Sequence, residues 1–250
     1  MQREYGKDNL KFRWILGDIR EIDKVSFACR GIDVAFNCAA IKHVGIAEYN
    51  PLEAIKVNVF GVENIIKGCF VNQVGKLIHI STDKAVEPIG VMGATKLLAE
   101  RLCIIKNAKT GNYWDTKISV IRLGNVLGSR GSILPIITNQ IENDKPVTIT
   151  DGRMIRYFIA QNELADFIVR VMNRMEGGEI FIPPMKKWIM REFIRHYGTL
   201  IAQGMGKTRT DIITKKIGRQ KGEKMEEKLY NEYEQKTIHE DDMVVIKDAK

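Results

Sequence analysis

The run Ser81-Thr82-Asp83-Lys84, followed by Met92-Gly93-Ala94-Thr95-Lys96, gathers three hydroxyls, a carboxyl and two amines into one short stretch. An adjacent Asp and Lys can serve as proton donor and acceptor toward neighbouring atoms of one ligand, which is general acid–base chemistry. Lys96 lies four residues past position 92, so on a helix its amine can reach the same pocket. The same Asp-Lys pair would also suit a plain surface turn, and only its setting separates the two readings.

That setting is a strand before it and a helix after it. Lys76-Leu77-Ile78-His79-Ile80 reads as a buried parallel strand, and residues 96–102 read as a helix. The polar groups therefore sit at the carboxyl end of a strand, where open α/β sheets hold their ligands. Further strands are expected at residues 12–16, ending in Gly17-Asp18, at 33–37 and at 118–122. A helix is expected from about residue 51 to 72, with Ile55, Val59, Val62, Ile65, Ile66 and Phe70 at helical spacing, and another running through Leu102 and Ile105. Strands alternating with helices in this rhythm give an α/β fold, a Rossmann-like parallel sheet with helices on both faces.

Beyond Gly131 the rhythm loosens. Helices are expected at 133–142, 163–175 and 191–204, short strands at 146–150 and 179–182, and a charged tail after Gly222. This divides the chain into residues 1–132, the sheet-building part with the chemistry-bearing motifs, and 133–250, a smaller lobe and tail. The sheet is free to take strands from both.

Composition narrows the classes. At 250 residues, 44% hydrophobic and 28% charged, the chain can build one good core with a small lobe. No apolar run approaches the ~20 residues of a spanning helix. The amino terminus has no hydrophobic signal region, so a cytoplasmic protein is expected. Cys29, Cys38, Cys69 and Cys103 are scattered, as are the four histidines, which points to reduced thiols and no metal site. The net charge of +8 is spread among acids; it suits a solvated surface or the attraction of an anionic small ligand, and nucleic acid is not expected as a partner.

No G-x-G-x-x-G turn occurs to receive a pyrophosphate. Gly204-Met205-Gly206-Lys207-Thr208 looks like part of a P-loop, but the first glycine of that pattern would fall on Ile201, with no strand ahead of it.

Several longer motifs come in a recognisable order: Gly17-Asp18-Ile19-Arg20, Cys38-Ala39-Ala40-Ile41-Lys42-His43-Val44, Glu48-Tyr49-Asn50-Pro51 and Asn58-Val59-Phe60-Gly61. Then follow Ser81-Thr82-Asp83-Lys84-Ala85-Val86, Asn125-Val126-Leu127-Gly128-Ser129-Arg130-Gly131-Ser132, Gly178-Glu179-Ile180-Phe181-Ile182-Pro183 and Gly222-Glu223-Lys224. Together they resemble the extended short-chain dehydrogenase/reductases of polysaccharide biosynthesis, the UDP-N-acetylglucosamine 4,6-dehydratase and 4-epimerase group. The family carries a glycine-rich strand–turn–helix ahead of the point where this chain begins. By resemblance the sequence looks like a fragment, a misassigned start or a shortened paralogue.

The resemblance implies bound NAD or NADP, a UDP-sugar substrate and a homo-oligomer. In such enzymes a hydride leaves sugar C4, a base takes the C5 proton, an acid helps hydroxide leave C6, and the hydride returns to C6. Lys84 matches the base and Asp83 the acid, with Thr82 beside them. Lys96 matches the lysine of the Tyr-x-x-x-Lys pair. Met92 stands where many relatives have the tyrosine, and a thioether carries no proton; a branch of the family shares this methionine. Thr82, Lys96 or a water remain candidates for the base at O4.

On the cofactor side the resemblance assigns Asp18, Ile19, Ala39, Ala40, Lys42, Asn58 and Lys96. Locally, Asp18 suits a helix N-cap equally well. On the substrate side it assigns Lys84, Asn125, Ser129, Arg130, Gly131, Arg153, Arg156 and Arg219. Arg153 and Arg156 would otherwise be surface arginines, and Arg219 lies one position off its expected column. A 4-epimerase and a non-catalytic nucleotide-sugar-binding paralogue are the alternatives to dehydration.

Overall fold

The computed structural model describes residues 12–109, 115–208, 212–234, 236–238 and 242–247. His239 and the first eleven residues, which carried the signal-peptide reading, lie outside them.

The chain runs α1 (Ile22–Ala28), β1 (Val34–Asn37), α2 (Val44–Tyr49), α3 (Pro51–Ile55), a π-helical turn (Lys56–Phe60), α4 (Gly61–Val71) and β2 (Lys76–Thr82). A 3-10 turn (Asp83–Ala85) leads to α5 (Val91–Lys109), β3 (Lys117–Leu123) and β4 (Asn125–Val126). The second half holds α6 (Ile133–Glu142), β5 (Val147–Ile149), β6 (Ile155–Ile159), α7 (Gln161–Arg174), β7 (Glu179–Ile182), β8 (Lys186–Ile189) and α8 (Met190–Gly204). It ends with β9 (Thr214–Lys216), β10 (Lys236–Ile238) and β11 (Val244–Lys247).

Six strands form the main sheet in the order β1-β2-β3-β7-β11-β10. The first four are mutually parallel; β11 runs antiparallel to β7, and β10 antiparallel to β11. Side chains alternate across the pleat, so β2, β3, β7 and β11 each feed two cores. Leu77, Ile118, Val120, Ile180, Ile182 and Ile246 meet α1, α4 and α5 on one face. Ile78, Ile121, Phe181 and Val245 meet Phe167 and Val171 of α7 on the other. Strands buried on both faces have no polar side to show, which is why they read as continuous apolar runs. Each of these large side chains contributes about 1.5–3 kcal/mol on burial.

The remainder forms a smaller body. Strands β4-β6-β8 make a three-stranded sheet and β5-β9 a parallel pair. They pack with α6 and α8 around Ile137, Phe158, Phe193 and Ile194.

Three expectations are corrected. Residues 12–16 are not a strand: they find no ladder partner among the described residues, and Leu16 stands 95% exposed. The helix expected over 51–72 is interrupted by the π turn, whose extra residue per turn reorients Asn58. The charged tail after Gly222 is not all tail, because its Val244–Lys247 stretch completes the antiparallel edge against β7.

Candidate active site

Strand β2 ends at Thr82, whose hydroxyl oxygen caps the 3-10 turn by accepting from the Lys84 backbone N–H at 3.4 Å. The turn puts the Asp83 carboxyl fully out of solvent. Its Oδ1 accepts from the Thr82 hydroxyl at 2.9 Å and from the Lys84 ammonium at 3.0 Å. Its Oδ2 is buried with no hydrogen-bond partner. The Lys84 ammonium also lies 3.5 Å from Asn125 Oδ1, at the start of β4 just past the end of the neighbouring β3. Thr82, Asp83, Lys84 and Asn125 are thus brought together at the carboxyl edge of the sheet.

The first turn of α5 presses against this cluster. A Cβ on Gly93 would strike the Lys84 carbonyl, so only glycine permits the approach. Met92 beside it is buried with Ala47, Ala54 and Val44, and lines a cleft with Lys84, Lys224 and Glu227. Lys224 donates to the Val86 carbonyl at 2.6 Å and lies 3.1 Å from the Glu227 carboxylate.

One helical turn on, the Lys96 side chain is buried beneath β2. Its Nζ donates to the Ile80 carbonyl at 2.5 Å and meets His79 Nε2 at 3.2 Å. Burial pushes this amine down to about 8, partly opposed by the Glu100 carboxylate. His79 is buried too, and desolvation together with the Lys96 charge holds its imidazole well below the usual histidine range. His79 Nδ1 meets the Asn37 amide nitrogen at 3.1 Å. Sequence reasoning missed His79 and Asn37. The available signal was a lone imidazole inside an apolar run.

The loop after β1 is tied down at both ends. Asn58 accepts from the Ile41 N–H at 2.8 Å and donates to the Ile41 carbonyl at 3.1 Å and to the Thr95 hydroxyl at 3.0 Å. Lys42 donates to the Arg130 carbonyl at 2.6 Å. The 129–131 segment is held there, with Ser129 partly buried and Gly131 at φ +68°, where a Cβ would meet the His43 ring. Between these ties, Ala39 and Ala40 leave backbone open at the end of β1, Ala39 being exposed.

Other expected residues lie apart or are already engaged. Asp18 is not the cap of α1, a position held by Glu21. Its carboxylate grips the Arg20 guanidinium at 2.7 Å, a hydrogen bond that holds it below the usual carboxylate range. Ile19 packs over Gly61. Arg156 is buried and donates to the backbone carbonyls of Ile155, Lys224 and Met225, so it holds the 224–225 segment in place. Arg153 is an exposed partner of Asp151 at 2.7 Å, and Arg219 is exposed.

A buried catalytic-looking cluster at the carboxyl ends of parallel strands, on a doubly covered sheet, defines a Rossmann-like protein of the short-chain dehydrogenase/reductase class. The chain belongs to the polysaccharide biosynthesis protein family, whose description matches residues 1–248. It is 43% identical over 244 residues to a protein of Methanocaldococcus jannaschii described as an uncharacterized membrane protein, covering 97% of this chain and 73% of that one. It is 43% identical over 192 residues to the UDP-N-acetylglucosamine 4,6-dehydratase (inverting) of Campylobacter jejuni, covering 72% of this chain. It spans 57% of that relative's length. The X-ray structure of Pen from Bacillus thuringiensis superposes with a TM-score of 0.92 at 35% identity, covering 98% of this chain and 75% of that one.

Among the described residues no three His, Cys, Asp or Glu side chains are placed to hold a metal. No described helix is long and apolar enough to cross a membrane.

Proposed function

We propose that the chain modifies a UDP-N-acetylhexosamine, with 4,6-dehydration as its reaction and NAD(P) as its cofactor. The observation that carries this is the Asp83–Lys84 couple: a fully buried carboxyl with one oxygen held and the other without a partner, 3.0 Å from an amine. Moving one proton along that contact converts an ion pair into a neutral amine and a carboxylic acid. Lys84 then takes the proton at sugar C5. The Asp83 carboxyl delivers the proton it has received to the departing C6 oxygen, which leaves as water. Thr82 keeps Oδ1 fixed, and Asn125 steadies the Lys84 amine.

The residues present fit the nicotinamide half of a dinucleotide. Small side chains at Ala39 and Ala40 leave room at the strand end, and Lys96 lies beneath the neighbouring β2. The bound cofactor would supply reversible hydride acceptance from the sugar. Lys96, Asn58 and Lys42 are the residues of this chain that would hold and frame it, with Asp18 and Ile19 farther along toward the adenine. Residues 1–132 carry the cofactor side and 133–250 the sugar side, with β7, β10 and β11 lent to the main sheet. Arg130, Ser129 and Gly131 face the diphosphate, a role that the Lys42 tie supports by fixing the loop.

Incubating the full chain with NAD(P) and UDP-N-acetylglucosamine tests this by mass spectrometry. Loss of water from the substrate is expected. A galacto-configured product of unchanged mass would replace dehydration with epimerisation, and bound but unaltered substrate would leave a binding protein.

A further inference from the structure

The cleft beside Met92 holds a second pair of charged side chains that the proposed chemistry does not use. Glu227 lines it while only 2% exposed, and its Oε2 has no hydrogen-bond partner. The Lys224 ammonium lies 3.1 Å from that oxygen, an ion-pair contact outside hydrogen-bond alignment, and donates one N–H to the Val86 carbonyl. An ammonium carries three N–H groups, so Lys224 has further donors. A buried carboxylate oxygen without a donor is unfavourable, and it points to a ligand group that supplies one.

The surroundings fix this pair in place. Arg156, itself buried, holds the carbonyls of Lys224 and Met225, and the Ile155 N–H also donates to the Met225 carbonyl. Two residues further along, Lys228 pairs with Glu87 at 2.8 Å, which leaves Glu227 between two fastened points. Gly222 meets the loop that starts α5 so closely that a Cβ on Gly90 would stand 3.0 Å from its Cα.

The room inside the cleft is about 10 Å³, close to that of one water. A sugar ring or an acetamido group is too large for it, but a single hydroxyl is not. A hydroxyl donates its proton to one neighbour and accepts from another at the same oxygen. Glu227 and Lys224 offer that acceptor and that donor side by side. Val44, Ile89 and Met92 add apolar walls that suit the C–H groups of the ring carrying the hydroxyl.

We propose that Glu227 and Lys224 form a subsite for one hydroxyl of a bound hexose, with Glu227 setting specificity there. The hydroxyl donates to the Glu227 carboxylate and accepts from the Lys224 ammonium. Lys84 lines the same cleft, and under the proposed function its amine works at C5. The hydroxyl is therefore one carried next to C5, at C4 or C6.

That choice of carbon rests on the proposed function; the subsite itself is read by binding alone. Full-length protein is titrated by calorimetry with UDP, UDP-N-acetylglucosamine and its 3-, 4- and 6-deoxy analogues. Wild-type protein should bind the parent sugar nucleotide about ten- to a hundredfold more tightly than the 4-deoxy or the 6-deoxy compound. In Glu227→Met that preference should shrink to about threefold or less, with UDP affinity unchanged. Glu227→Gln, whose amide oxygen still accepts, should keep part of it. A preference as strong in Glu227→Met as in wild type overturns the proposal. So does a preference that follows the 3-deoxy compound alone, or a parent nucleotide bound no better than UDP. Should Glu227→Met not fold, Lys224→Met is read the same way, because it removes the donor to the same hydroxyl. The hydroxyl preference without loss of water from the substrate sinks the dehydratase reading and leaves the subsite standing; loss of water without the preference does the reverse.

Discussion

Asn58 and Thr95 share a 3.0 Å hydrogen bond that joins the π turn to the first turns of α5, while the rest of the Asn58 amide clasps both backbone groups of Ile41. One buried side chain thereby spaces the loop after β1 from the helix that carries Lys96.

Replacing Asn58 by Ala should leave the Ile41 N–H and C=O without their partner in a part-buried site, while the Thr95 hydroxyl keeps its bond to the Met92 carbonyl. The expected loss is about 1–3 kcal/mol, read from urea unfolding with unchanged m-value. A loss under half of that would mean that water enters and replaces the amide.

Arg122 is buried between Glu100 at 2.7 Å and Glu234 at 2.8 Å. Arg122→Leu removes the cation and strands two carboxylates, and should cost about 3–5 kcal/mol. For Glu234, burial alone would raise the carboxyl, but the Arg122 hydrogen bond and charge outweigh it and lower it. Its contribution is therefore full above the unfolded carboxylate range and is lost as pH falls through the lowered native value. Acid titration of stability should be shallower in Arg122→Leu; identical acid limbs would remove Arg122 as the cause.

Lys96 has the opposite sense. The native amine releases its proton near 8, whereas the unfolded chain keeps it to about 10.4. Between those values the unfolded state binds more protons, so wild-type stability should rise with pH across that window. Lys96→Met should flatten this slope and add on the order of 3 kcal/mol near neutral pH. A slope unchanged in the variant would show that another group titrates there.

Gly93→Ala tests the packing of α5 on the Lys84 turn. A methyl there meets a backbone carbonyl, which cannot rotate away. Destabilisation of about 1–3 kcal/mol is expected, with thermal melting as the measure; a neutral result would mean that the helix start can shift outward.

Lys84→Ala should abolish dehydration while UDP-sugar binding, followed by calorimetry, is largely retained. Retained turnover would assign the C5 base elsewhere.

Much of the fold was legible because strands β2, β3 and β7 place apolar side chains in the cores on both faces, and helices such as α7 keep Leu164, Phe167, Ile168 and Val171 on one stripe. The cluster at Thr82–Lys84 could be placed because it directly follows such a strand. Less legible were features that depend on partners far off in sequence. Residues 12–16 have strand composition yet find no ladder partner among the described residues, and β11 hides in a charged stretch because β7 completes its ladder. Arg156 meets backbone carbonyls of a segment nearly seventy residues on, a tie that local sequence does not reveal. His79 carried no motif; its meaning appears only when Asn37 and Lys96 close around it.

The antiparallel pair β10–β11 has a kinetic corollary. Strand β7 gains its second neighbour only once residues 244–247 have emerged from the ribosome, so until then the nascent sheet ends at β7 in an unfinished rim. During that interval the bare rim is the surface most exposed to mispairing with another copy, and a chaperone that shields it would raise the yield of native protein.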